Sequence, residues 1–389
     1  MPIIAFPKEQ MLGESRCALT PNNVKAYSRL GAEVLIESGL GEGVHIADQD
    51  YIDAGAKVVA QRETLLREAD VVLSIHKLPV ADLGLLTNKT VISFLDPFNS
   101  HEYVDSLCDG HVTSLSMEMI PRSTRCQKMD ALSSQASLAG YAMVVSAIAN
   151  LNIITPMMMT AAGTIKPAKV FIIGAGVAGL QAIATAKRLG AAVTAFDTRP
   201  EVAEQVRSLG GKFLEIDLGN TGRTEQGYAQ ALTPEQIAIQ QQAQAKCIAE
   251  SDVVITTAQL FGRKPPRLIT QATIGLMKPG SVIVDMAAES GGNVEGSVAG
   301  EIVQMNGVKI IGTGNWSNLV ALNASQMYAS NLLNLVSEMW QSDTNECVIN
   351  LDDDIQKAAV ITHQGSVVNP TIAAHRDTHY VRPTLEKAS

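Results

Sequence analysis

Short runs of apolar, often β-branched residues alternate with amphipathic stretches along most of the chain, and glycines mark the joints. In the first third, residues 3–6, 33–37, 71–75, 90–94 and 112–116 read as strands and 21–30, 62–68 and 102–107 as helices. Gly31, Gly39, Gly43 and Gly110 stand between them. This alternation predicts an open, mostly parallel sheet. A long apolar helix is expected from Asp130 to about Asn150. A second series follows, with strands at 170–173, 192–196, 213–216, 253–257, 281–286 and 308–312. Its helices are expected at 180–189, 201–209, 234–249 and 269–277. Another long helix, 324–340, leads to a short strand or hairpin at 358–362 and 366–368. The expected fold is α/β, with two Rossmann-like doubly wound parallel-sheet domains joined by two long crossing helices. The first domain is expected to be discontinuous, residues 1–130 plus 325–389. Residues 131–324 are expected to form the second.

Composition narrows the class. Of 389 residues, 46% are hydrophobic and 18% charged, which is enough apolar content for two cores and too much for a disordered chain. A net charge of −9 with no basic stretch argues against nucleic acid as a partner. Cys17, Cys108, Cys126, Cys247 and Cys347 are scattered, odd in number and without C-x-x-C. That pattern predicts reduced thiols, no metal site and a cytoplasmic chain. The N-terminus runs directly into a strand, so no signal peptide is expected. The uncharged stretch 131–165 is interrupted by Ser133, Ser134, Gln135, Asn150, Asn152 and Pro156. It reads as a buried helix followed by a Met-rich connection rather than a membrane span.

The strand 170–173 ends on Gly174-Ala175-Gly176-Val177-Ala178-Gly179, a helix follows, and the next strand ends on Asp197. That order is a dinucleotide fingerprint. Gly174 permits the turn, Gly176 lets a pyrophosphate approach the backbone, and Gly179 lets helix and strand pack closely. The helix start offers unpaired N–H groups and a partial positive charge to the phosphates. Asp197 would accept hydrogen bonds from both hydroxyls of the adenosine ribose and repel a 2′-phosphate, favouring NAD(H) over NADP(H). Nearby Arg199 would soften that preference.

Two further stretches carry candidate chemistry. Residues 219–229 are polar and glycine-rich with one aromatic, Tyr228, which fits either a surface loop or a lid over bound nucleotide. Residues 120–134 place Arg122, Arg125, Gln127, Asp130, Ser133 and Ser134 where the first domain meets the long helix. Asp130 and Ser133 can cap that helix while the arginines stay solvated. The same residue types also supply the donors and acceptors that a carboxamide and a ribose need. Neither reading excludes the other.

With these residues assembled, the whole chain resembles the NAD(H)-binding component of proton-translocating nicotinamide nucleotide transhydrogenase. Arg122, Gln127, Asp130 and Ser133 stand at the spacing of that family's Arg-Gln-Asp-Ser signature. The likeness also covers residues 14–21, 130–135, 170–179, 195–201, Gly227-Tyr228-Ala229 and 284–293. It implies that Arg122, Gln127, Asp130 and Ser133 hold the nicotinamide and its ribose at the site of transfer. It further implies a cofactor-binding set of Gly174 to Gly179, Asp197, Thr198, Arg199, Tyr228 and Ala258, with residues 219–229 as a mobile lid. The chain would then be the soluble polypeptide of a split alpha subunit. It implies NADP(H) on a separate beta component and a second, membrane-spanning alpha polypeptide. It also implies a homodimer, and a cytoplasmic chain held peripherally at the inner membrane through its partners.

Alanine dehydrogenase shares this ancestry and is the alternative reading. Oxidising an amino acid needs a proton acceptor as well as a hydride acceptor. The dehydrogenases' histidine position appears here as Asp96, their acidic position as Glu289, and Lys77 is the candidate for their lysine. His45, His101 and His111 read as ordinary surface or satisfied histidines. Two segments depart from the transhydrogenase pattern: 261–266, Phe-Gly-Arg-Lys-Pro-Pro, and 315–319, Asn-Trp-Ser-Asn-Leu.

Overall fold

The computed structural model describes residues 1–217, 233–259, 261–341 and 343–382. The chain divides into two compact units, residues 1–135 with 320–389, and residues 136–319. The division falls inside the helix Ala131–Ala149. Its first turn belongs to unit 1. Ala131 is fully buried in that unit's core, and Ser134 and Gln135 bond to Asn331 and to the Ala324 carbonyl. Ala139, Met143, Val144 and Ala147 instead join the core of unit 2.

Unit 1 is built on six parallel strands in the order Thr113–Ser116, Thr90–Phe94, Val71–His76, Ile3–Phe6, Glu33–Glu37 and Lys57–Val59. The hairpin Val360–His363 and Ser366–Val367 extends the first of these antiparallel, so the C-terminal region completes the N-terminal sheet. Helix Ala321–Met339 packs Tyr328, Leu332, Leu335 and Val336 into the same core. Unit 2 has the order Lys212–Phe213, Ala192–Phe196, Lys169–Ile173, Val253–Thr256, Val282–Asp285, Val308–Ile311 and Ile302–Met305, antiparallel only at its last pair. This is a doubly wound sheet whose order reverses beside Lys169–Ile173.

Several local expectations are corrected. Within the expected Met-rich connection, Met158–Thr160 and Gly163–Ile165 form an exposed hairpin that was not expected from the sequence. The expected helix over 269–277 shortens to Gln271–Ile274, because residues 268 and 269 are pulled into hydrogen bonds with Asn293. Helix Ala131–Ala149 is long and apolar enough to cross a membrane by composition, yet 44% of its apolar window is buried. It is therefore not a wholly buried helix: Met143 and Val144 face the core while Tyr141 and Val145 are exposed. A helix at Pro370–His379, capped by Asn369, was not expected from the sequence. All five cysteines are free.

The glycine fingerprint is sterically specified. Gly174 has φ +103°, and a Cβ on Gly179 would stand 1.9 Å from the Gly174 carbonyl oxygen. Gly179→Ala is expected to cost about 1–3 kcal/mol by overpacking. Gly176→Ala enters open space and should leave the melting temperature unchanged. Thermal denaturation of the two variants separates these outcomes.

Candidate functional site

In unit 1, strand Thr113–Ser116 passes through two short 3₁₀ segments, Met117–Met119 and Thr124–Met129, before the long helix begins. Cys126 and Met129 anchor the second segment in the core. Asn331 and Asn334 bond the Lys128 carbonyl at 2.9 and 3.3 Å. The anchored segment brings Arg122, Gln127, Asp130 and Ser133 to one cavity of about 310 Å³, with Pro121, Ser123 and Thr124. Asp130 caps the helix, accepting from the Ser133 N–H at 2.8 Å and the Ser133 hydroxyl at 2.6 Å. Capping and cavity lining are thus performed by the same pair.

The two arginines of this stretch differ. Arg125 is not simply solvated. It pairs with Glu338, with Nε donating at 2.9 Å, and with Asp353 at 2.9 Å, which fixes the segment to its neighbours. Arg122 and Gln127 are exposed at the cavity and have no side-chain partner among the described residues. Their donors are available to a ligand.

In unit 2, three neighbouring strands deliver the other candidates at their carboxyl ends. Gly174 to Gly179 follow Lys169–Ile173, Asp197 to Arg199 follow Ala192–Phe196, and Ala258 follows Val253–Thr256. Val177 is exposed and Ala178 buried at the start of helix Val177–Arg188. Thr257 donates to the Gly174 carbonyl at 3.1 Å, and Asp197 accepts the Ala175 N–H at 2.7 Å. Thr198 is exposed beside Asp197. Tyr228 and the expected lid at 219–229 lie outside the described residues.

Sequence reading did not show which groups hold the loops around these positions, although it had singled out Glu289 for another role. Asn293 donates to the Ala258 carbonyl at 3.0 Å and to the Pro266 carbonyl at 2.8 Å, tying the divergent 261–266 segment to the sheet edge. Fully buried Asp285 accepts from the N–H groups of Ala287, Asn293 and Val294. Glu289 accepts the Asn315 N–H at 3.1 Å and so orders the second divergent loop. A lone acid or amide after a strand carries no distinctive sequence signal.

A second cavity of unit 1, about 550 Å³, is lined by His76, Lys77, Asp96 and Tyr103 among others. The Lys77 ammonium donates to the Ser100 hydroxyl at 2.7 Å. Asp96 sits at φ +50° with its N–H on the buried Glu118 carboxylate. Arg16 is committed elsewhere. Its guanidinium bonds Glu14 through Nε at 2.8 Å and Nη2 at 2.6 Å, and Gln135 through Nη1 at 2.9 Å. His45 and His111 adopt left-handed backbone. His101 stacks with His375 and with Tyr380, and its buried Nδ1 has no hydrogen-bond partner among the described residues, so it is not a fully satisfied histidine.

Two α/β units, one with a dinucleotide fingerprint at its switch point, define a protein of the Rossmann-like nucleotide-binding class. Family profiles match both halves: alanine dehydrogenase/PNT, N-terminal domain, over residues 5–139, and alanine dehydrogenase/PNT, C-terminal domain, over residues 143–370. The chain belongs to the alanine dehydrogenase/PNT family. It is 41% identical over 377 residues to the first of the alpha-subunit polypeptides of NAD(P) transhydrogenase from Rhodospirillum rubrum, covering 95% of this chain and 98% of that one. The solved transhydrogenase of Sinorhizobium meliloti matches with a TM-score of 0.83 at 40% identity, covering 95% and 99%. The alanine dehydrogenase of Mycobacterium tuberculosis is 30% identical over 300 residues, covering 76% and 74%.

Burial alone raises the Glu14 pKa, but the hydrogen bonds from Arg16 and His76 outweigh it and hold the carboxyl well below its usual range. A lowered folded pKa stabilises above the unfolded value. That contribution is complete above the ordinary glutamate pKa of 4.5 and is lost as pH falls toward the lowered one. Glu14→Gln is expected to cost about 1.5–3 kcal/mol at pH 7, because it removes the carboxylate that accepts charge-assisted hydrogen bonds from the Arg16 guanidinium. In denaturant titrations at a series of pH values, the deficit should shrink below the ordinary value. A deficit independent of pH would contradict this reading.

Proposed function

We propose that this chain is the NAD(H)-binding component of a proton-translocating NAD(P)⁺ transhydrogenase. It passes hydride from NADH to NADP⁺ held on a separate beta component. A second, membrane-spanning alpha polypeptide couples the transfer to proton movement. The chain works as a homodimer in the cytoplasm, peripheral to the inner membrane through those partners. The observation that carries the reading is the polar cavity in which Arg122 and Gln127 keep free donors beside the Asp130–Ser133 pair.

The fit of a dinucleotide to unit 2 is supported by Gly176, where a Cβ would meet nothing within 4 Å and would occupy the space a phosphate needs. When bound, the nicotinamide ring supplies the hydride. Gly174 to Gly179 offer backbone N–H groups and the helix start to the pyrophosphate. Asp197, with Thr198 and Ala258 at the same sheet edge, receives the adenosine half beside Arg199. Arg122 and Gln127 donate to the carboxamide, and Asp130 and Ser133 hold the nicotinamide ribose. Transfer between two nicotinamide rings breaks no O–H or N–H bond, so the residues must orient rather than exchange protons.

Amino-acid oxidation, the alternative, fits these residues less well. It requires a proton acceptor and a cation for the substrate carboxylate. Asp96 stands where the dehydrogenases place histidine, and the Arg16 guanidinium is already paired to Glu14.

In the complete complex, Arg122→Ala should slow hydride transfer about tenfold or more, ~1.4 kcal/mol of barrier. Stability should stay within about 0.5 kcal/mol, as for an exposed side chain. An unchanged rate in the folded variant would remove Arg122 from the site. Gly176→Ala should weaken NADH binding by at least about tenfold, read by NADH fluorescence titration.

A further inference from the structure

The Asp197 carboxylate is full. A carboxylate offers about four lone-pair positions. Its Oδ2 accepts from the Ala175 N–H at 2.7 Å and from Arg199 Nη2 at 3.1 Å. Its Oδ1 accepts from the Arg199 N–H at 2.9 Å and from Arg199 Nε at 3.0 Å. Two of the four donors are backbone amides, fixed by the glycine turn and by the strand end. The other two belong to one guanidinium. Burial alone would raise the Asp197 pKa, and these bonds, led by that of Arg199, bring it below the usual range.

A ribose diol needs two acceptor positions on this carboxylate. Only the guanidinium can vacate two. The Asp197 side chain is 8% exposed while that of Arg199 is 54% exposed, so Arg199 has room to leave and Asp197 does not. We propose that Arg199 is a specificity-determining competitor for the ribose site: it occupies the acceptor positions that an NAD ribose must take, and once displaced it offers its cation to a 2′-phosphate. The carboxylate alone would select strongly against NADP(H), and the arginine trades some of that selection, and some of the affinity for NAD(H), for tolerance. This inference rests on the reading of Asp197 as the adenosine-ribose acceptor.

The test is a titration of NADH and NADPH into the full-length wild-type, Arg199→Ala and Arg199→Lys proteins at low and high salt. The pair is open to solvent on its guanidinium side, so the expected gain is modest. Arg199→Ala should bind NADH about two- to fivefold more tightly at low salt, and the gap should close as salt screens the wild-type pair. NADPH should bind the alanine variant no better than wild type, so the NADH-to-NADPH preference widens. Arg199→Lys, which keeps the charge, should restore some of the NADPH binding. Equal or weaker NADH binding by Arg199→Ala, with normal binding by wild type, would overturn the competitor role. Failure of the wild-type protein to bind NADH at all would overturn the ribose reading of Asp197, and this inference with it.

Discussion

At the carboxyl ends of parallel strands, backbone N–H groups run out of strand partners just where the chain must turn into a binding loop. In both units buried or half-buried carboxylates take up those donors. Glu9 accepts from Ile75 and His76, and Glu118 from Leu95 and Asp96. Asp197 accepts from Ala175 and Arg199, and Asp285 from Ala287, Asn293 and Val294. An unpaired buried N–H costs about 1–3 kcal/mol, so each carboxylate fixes a loop that would otherwise refold toward water. Burial pushes the Glu9 and Glu118 pKa values up even though amides bond to both. Loop geometry is therefore maintained against the cost of desolvating acids, and the unit 2 candidates at Gly174 to Gly179 and Asp197 to Arg199 sit on loops held this way.

That constraint separates residues that hold the structure from residues free to bind. Arg16 and Arg125 are both committed to carboxylates, whereas Arg122 is not. Asp130 does both jobs, since its acceptor positions toward Ser133 order the helix start and the cavity wall together. Arg199 lies between the classes, because it is paired in a way that a ligand must undo.

The regions of the fold legible in the sequence were those with strong local periodicity. The apolar runs at 3–6, 90–94 and 192–196 became strands because each is buried between neighbours in a parallel sheet. The cluster at 120–134 stood out by residue type, but only the family resemblance separated Arg122, Gln127, Asp130 and Ser133 from Arg125 and Ser134, which bond elsewhere. The exposed hairpin at Met158–Thr160 and Gly163–Ile165 was not legible, since its short strands are exposed throughout and carry no alternation of buried and exposed positions. Helix Pro370–His379 was hidden because its hold on unit 1 comes from contacts across a long sequence separation: Ile372 is buried in the core and Arg376 bonds the His101 carbonyl at 2.7 Å. The pairing of Arg125 with Glu338 and Asp353 escaped notice for the same reason.

The measurement that tests the central claim most directly is NADH oxidation by the purified chain. It is mixed in one arm with the NADP⁺-loaded NADP-binding component of its own system, and in the other with pyruvate and ammonium. The account predicts rapid transfer with the NADP⁺ component and none with pyruvate and ammonium. Turnover only in the second arm would contradict it and assign the chain to amino-acid oxidation.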